Sequence, residues 1–227
     1  MNILALDTSM GACSAALLCA TDGARALHAR EQEMQRGHAE ALMPMVAAVL
    51  AEAGVEATDL DVIAATVGPG SFTGVRIAIA AARGLALVTG ARLYGTDSFS
   101  VMARAALVEL KPTAPFAVAV DARRDMLYLG LYDEAGRMLD GPLLISPDDA
   151  AKLLPSSLGL AVGSGARLLA DAAIAQGRAV EPALPTLQPN AMALAEIAFE
   201  SGESAIFRPL YLRPPDAKPQ AQAIGRR

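Results

Sequence analysis

Val62-Ile63-Ala64-Ala65-Thr66-Val67-Gly68-Pro69-Gly70-Ser71-Phe72-Thr73-Gly74-Val75-Arg76-Ile77-Ala78 decides the fold. An apolar run meets three glycines and then an alanine-rich stretch, so the order is strand, glycine turn, helix. Glycine lets the backbone take positive φ and approach another surface closely. Ser71 or Thr73 is placed to cap the helix. Such a loop can bind an anion at the helix N-terminus. It lacks a P-loop lysine and the dinucleotide G-x-G-x-x-G spacing, so a ligand loop and a tight structural turn stand as even alternatives.

Working outward, Ile3-Leu4-Ala5-Leu6 is an apolar strand ending in Asp7, and Cys13 to Leu18 is a second strand. A third covers about 25–33. A helix is expected over 37–53, with Leu42, Met45, Val46 and Val49 at helical spacing, Pro44 kinking it or marking a late start, and Gly54 ending it. The second half repeats the order. Phe116 to Val120 ends in Asp121, strands follow over 126–132 and up to 145, Ser146-Pro147 opens a helix, and Val162-Gly163-Ser164-Gly165 answers Val67-Gly68-Pro69-Gly70. The pattern predicts an internally duplicated β-β-β-α-β-α-β-α. The halves are 1–108 and 109–227, joined near Lys111-Pro112-Thr113-Ala114-Pro115, with the last helix packing back on the first half.

Apolar residues make up 53% of the 227-residue chain and charged residues 19%, enough for a sizeable core. No apolar stretch of membrane length is free of charge or glycine punctuation, so no membrane helix is expected. The N-terminus does not read as a signal peptide. Cys13 and Cys19, in one strand, are expected to be buried thiols, and cytoplasmic residence follows. The net charge of −5 argues against a large autonomous nucleic-acid surface. With only His28 and His38, a multi-histidine metal site is excluded unless carboxylates supply most ligands.

The candidate ligand loop comprises Asp7, Gly68, Gly70, Ser71, Thr73, Gly74 and Asp121. Asp7 could orient a metal or phosphate, although a turn aspartate bonded to backbone amides is the simpler reading. Asp121 beside Arg123 and Arg124 is similar. His38 with Glu40 is a weaker acid–base pair. Gly74, Ala78 and Ala82 form a small-residue face beside Val75 and Ile79, and the preceding helix carries Leu42, Met43, Met45 and Val46. Both faces of such a helix need cover, so one is expected on the sheet and the other on a partner, with a helix buried wholly in its own domain as the alternative.

Ile3-Leu4-Ala5-Leu6-Asp7-Thr8-Ser9, His38-Ala39-Glu40, the glycine-loop decapeptide Val67–Arg76, Val120-Asp121-Ala122-Arg123 and Tyr211-Leu212-Arg213 together resemble the bacterial TsaB (YeaZ) family. The resemblance implies an α/β, actin-like ATPase (ASKHA) fold of two ribonuclease-H-like lobes with mixed sheets flanked by helices. It implies a non-catalytic accessory subunit in N6-threonylcarbamoyladenosine modification of tRNA, supporting a TsaD-type catalytic paralogue, with a TsaE-type ATPase as a further partner. A homodimer is implied when the chain is alone, and tRNA contact is indirect. The family is also filed with glycoprotease-like peptidases. The catalytic paralogue's metal-binding His-x-x-x-His falls here on Ser98 and Met102, which are not comparable ligands, so neither metal nor catalysis carries over. No cofactor is firmly implied. ATP or ADP would sit only at the complex interface or weakly in the cleft. The implied partner surface maps to 38–50 and 73–87, with Leu42, Met43, Met45, Val46, Gly74, Val75, Ala78, Ile79 and Ala82 as contacts. The proline-rich Arg213-Pro214-Pro215-Asp216 receives no role.

Two other readings compete. One is a nucleotide-dependent transferase or kinase acting alone through the inter-lobe cleft with Asp7 and Asp121. The other is a metallopeptidase, disfavoured by the histidine count. Ala78→Arg is expected to abolish partner binding under the scaffold reading only.

Overall fold

Strand β1 (Asn2–Asp7) is buried from Ile3 to Asp7, as expected of a strand covered on both faces. In the computed structural model, which describes residues 1–21, 23–201 and 207–213, β1 pairs antiparallel with β2 (Ala12–Thr21) and parallel with β4 (Val62–Thr66). Strands β3 (Ala24–Glu33) and β5 (Arg92–Thr96) complete a sheet of order β3-β2-β1-β4-β5. The second sheet comprises β6 (Phe116–Asp121), β7 (Leu127–Tyr132), β8 (Met138–Ile145), β9 (Leu160–Val162) and β10 (Glu181–Ala183). Its order, β8-β7-β6-β9-β10, repeats the first with the same strand directions. These are two ribonuclease-H-like lobes of an actin-like α/β fold, and Asp121 ends β6 as Asp7 ends β1.

Alternation along the strands assigns the helices. Leu4, Leu6, Leu17, Ile63 and Ala65 face α1 (His38–Ala53) and α2 (Phe72–Thr89). Ile3, Ala5, Leu18 and Ala64 face α6 (Ala191–Ser201), which comes from the second half of the chain. The second sheet places Ala117, Leu127 and Leu129 against α4 (Pro147–Leu153) and α5 (Ala166–Ala175). Its other face, with Phe116, Val118 and Tyr132, meets Phe99, Met102, Ala103 and Ala106 of α3 (Ser98–Leu110), from the first half. The two lobes therefore exchange their final helices. Arg104 of α3 and Glu200 of α6 form a bidentate pair at 2.5 and 2.8 Å.

Local signals hold where they are strong. Gly54 ends α1 in the left-handed region, Ser146 caps α4, and the Asn190 side chain accepts from Ala193 N–H at 2.9 Å. Helix α1 continues through Pro44. One expectation is corrected. Cys13 is buried but Cys19 only half-buried, because it lies near the end of β2 where cover thins. Helix α2 reaches membrane-spanning length and hydropathy, but it is punctuated by Gly74, Arg76, Arg83 and Gly84 and packs one face on the sheet.

Candidate functional site

Asp7 ends β1 and is fully buried. Its carboxylate accepts from the Ser9 hydroxyl at 2.8 Å, from the Ser9 amide at 3.3 Å and from the Thr66 hydroxyl. The Ser98 hydroxyl donates in turn to Ser9 Oγ at 3.1 Å. Burial outweighs these hydrogen bonds and pushes the Asp7 carboxyl up to about 6.

The turn after Asp7 is roofed by the glycine loop. A Cβ on Gly70 would overlap the Ser9 carbonyl oxygen, and one on Gly74 would overlap that of Thr8. The Ser71 amide donates to Ser9 O at 2.7 Å, and the Thr8 hydroxyl donates to Gly74 O at 2.6 Å. Ser71 Oγ accepts from the Gly74 amide at 2.9 Å and caps α2. The close approach that these glycines permit is therefore taken by the chain's own backbone. Gly68, at φ 103, is met by Leu210, whose amide donates to Val67 O at 2.7 Å.

A cavity of about 650 Å³ opens beside this seal. Met10, Arg36, His38 and Glu40 line it from the first lobe, and Asp121 and Arg123 from the second. Of the candidate ligand loop it takes in Ser71, Thr73, Gly74 and Asp121, but not Asp7, Gly68 or Gly70. His38 Nε2 lies 3.1 Å from Met10 O. Asp121 accepts from the Arg123 amide at 2.8 Å and pairs with its guanidinium at 3.5 Å, as a turn aspartate does. The second-lobe glycine turn is also closed, since a Cβ on Gly163 would reach Ala119 O at 2.5 Å.

These residues do not fit the magnesium–nucleotide that an actin-like cleft implies. The first-lobe carboxylate is sealed from the cavity and held by hydroxyl donors, and both glycine turns pack on protein backbone. Ser98 and Met102 share one face of α3, as a His-x-x-x-His would. Both are fully buried, Met102 in the core between α3 and the second sheet.

The partner-face expectation needs a correction of register. Leu42, Val46, Gly74, Val75, Ala78, Ile79 and Ala82 are buried within the chain. The small-residue face is what lets α2 lie close to the sheet. Of the proposed contacts only Met43, 44% exposed, and Met45 reach the surface. What α2 turns outward is Ala80, Gly84, Leu87 and Val88, with Leu87 at 87% and Val88 at 75% exposure, while Ile77 and Ala81 are half-buried against the first-lobe core. Large apolar side chains so exposed, beside Ala80 and Gly84, leave an open lane for another helix. Sequence periodicity found two apolar faces on α2 but could not say which one the sheet takes.

A third face of α2 carries a strap, residues 207–213, that sequence reasoning missed. The Tyr211 ring packs tilted against Phe72 with centroids 5.0 Å apart, and its hydroxyl accepts from Arg76 Nε at 2.8 Å. Phe207 and Leu210 cover Val67, Val75 and Ile79. Arg213 donates to Ala122 O of the second lobe at 3.0 Å. The rest of the tail, from Pro214 on, lies outside the described residues.

Comparison with known proteins agrees with this geometry. The family model described as TsaD, tRNA N6-adenosine threonylcarbamoyltransferase, matches residues 29–210. The tRNA threonylcarbamoyladenosine biosynthesis protein TsaB of Escherichia coli K12 is 40% identical over 138 residues, covering 60% of this chain and 58% of that protein. TsaB of Haemophilus influenzae is 32% identical, covering 73% of this chain and 72% of that protein. YeaZ from Pseudomonas aeruginosa superposes with a TM-score of 0.75 at 32% identity, over 93% of this chain and 99% of that one. Another solved structure from that organism, described as similar to peptidase YEAZ, gives 0.77 at the same identity and coverage. Fold and site together define an actin-like protein with a sealed cleft carboxylate and an open helical face. The chain belongs to the TsaD-like group and, within it, to the TsaB (YeaZ) family.

Proposed function

We propose that this chain is an accessory, non-catalytic subunit in N6-threonylcarbamoyladenosine synthesis on tRNA, docking a TsaD-type transferase on the outward face of α1 and α2. One observation carries the docking: the free strip Ala80, Gly84, Leu87 and Val88 runs down a helix whose other two faces are already covered. Membership of a family whose named relatives serve this biosynthesis supports the pathway. The sealed Asp7 supports the absence of own catalysis and disfavours the alternative of a self-acting transferase or kinase. In this reading the same strip joins two copies of the chain when the paralogue is absent. A TsaE-type ATPase joins the assembled pair, and the work is done in the cytoplasm. The test is an omission series, measuring modified adenosine on a tRNA that reads codons beginning with A. Product should require both this chain and its paralogue. Product from this chain alone would make it an enzyme, and no change on its omission would sink the assignment.

A further inference from the structure

No Asp or Glu occurs between Asp61 and Asp97, nor in the strap 207–213, although the chain carries a net charge of −5. The fold lays these two acid-free stretches together, since the strap runs along α2. The strip so formed holds Arg76, Arg83, Arg208 and Arg213 and no carboxylate of its own.

Arg76 and Arg83 are held in place. The Arg76 guanidinium lies 3.7 Å over the Phe72 ring and 5.8 Å from that of Tyr211. Arg83 Nη2 donates to Phe207 O at 2.9 Å. The two stand two helical turns apart, about 10 Å along α2. Arg208 is exposed and makes no ion pair among the described residues. A guanidinium has five donors, so a single hydrogen bond leaves most of them free for phosphate oxygens. Contact with the rings has already restricted the Arg76 side chain, and Tyr211 remains 36% exposed, so part of an aromatic side chain is accessible to an unpaired base. An acidic protein segment would answer the charges but not the exposed ring.

In place of the indirect tRNA contact that the family resemblance implies, we propose that the α2–strap strip is a direct RNA contact, with Arg76, Arg83 and Arg208 binding the phosphodiester backbone of the tRNA. The identity of the RNA rests on the function proposed above. Arg76 and Arg83 share a stripe of α2 with Ala80 and Leu87, and Gly84 and Val88 lie beside it, so the basic strip borders the proposed docking lane.

The test is anisotropy titration of an A-reading tRNA transcript with the assembled chain–paralogue complex across a salt series. The double variant Arg83→Gln, Arg208→Gln should bind on the order of tenfold more weakly, with a log–log salt slope smaller by about 2. Arg83→Lys, Arg208→Lys should keep most of the affinity. Thermal melts and size-exclusion chromatography verify that each variant is folded and assembled. An unchanged affinity and slope in an intact complex overturns the proposal. Loss of the paralogue from the Gln variant, with the melt unchanged, also overturns it and assigns the arginines to an acidic protein partner. Failure of the wild-type complex to bind tRNA overturns this proposal and the functional reading together, whereas failure of the variants alone to differ leaves that reading standing.

Discussion

Asp7 shows how a residue that looks catalytic can be structural. Its carboxyl sits near 6 in the fold against 3.8 for an ordinary aspartate, chiefly through burial. Below about pH 4 folded and unfolded chains are both protonated, and the contribution is full. As pH rises toward 6 the unfolded chain releases its proton first, so stability falls, levelling off above 6. The loss is on the order of 3 kcal/mol. Asp7→Asn should remove this slope, because the Thr66 and Ser9 hydroxyls can rotate to donate or accept. Thermal melts at acidic and neutral pH test this. Equal pH dependence in variant and wild type would show that Asp7 is not the titrating group. The glycines give a second contrast. Gly74→Ala should cost about 2–4 kcal/mol, because its Cβ would overlap the Thr8 carbonyl. Gly84→Ala, where a Cβ meets nothing within 4 Å, should stabilise the chain by about 0.5–1 kcal/mol. Denaturant titration of the two variants reads both signs. The spacing of Gly68, Gly70 and Gly74 made the turn legible. What fills the close approach was not, because Thr8 and Ser9 are distant in sequence.

At the scale of elements, α2 is a three-sided helix with sheet, strap and open apolar lane on successive faces. The substitution that sequence reasoning favoured, Ala78→Arg, would bury a charge in the sheet interface and unfold the lobe. Ala80→Arg is the informative change. It should leave the melting temperature within a few degrees of wild type while abolishing co-elution with the TsaD-type paralogue, read by size-exclusion chromatography and melting of the same preparation. A folded Ala80→Arg chain that still co-elutes would move the docking surface elsewhere. Hydrophobic pattern gave the apolar period of α2, but alanines satisfy a helix or sheet contact equally well. The strap was unreadable for a related reason: Phe207, Leu210 and Tyr211, at i, i+3 and i+4, fill barely one helical repeat, too short a stretch to assign an element or to name the surface it covers.

At the scale of the molecule, α3 and α6 tie the lobes together. Each covers the sheet of the other half, and the Arg104–Glu200 pair joins them. Unfolding is therefore expected as one cooperative transition. Residues 1–110 and 111–227, expressed apart, should each fail to give a native near-ultraviolet spectrum, since each lacks the helix covering one sheet face. Mixing them should restore it, and an independently folded fragment would contradict the argument. The sequence by itself determined the duplicated order of strands and helices. Strand alternation, glycine turns and caps act over a few residues and are written locally. Only the tertiary structure decided that the glycine loop closes on the chain's own backbone. It alone decided that the small-residue face of α2 meets the sheet and that the final helices cross between lobes. Each of those depends on which distant surface excludes water from an apolar face, and hydrophobic burial carries no label for the partner that supplies it.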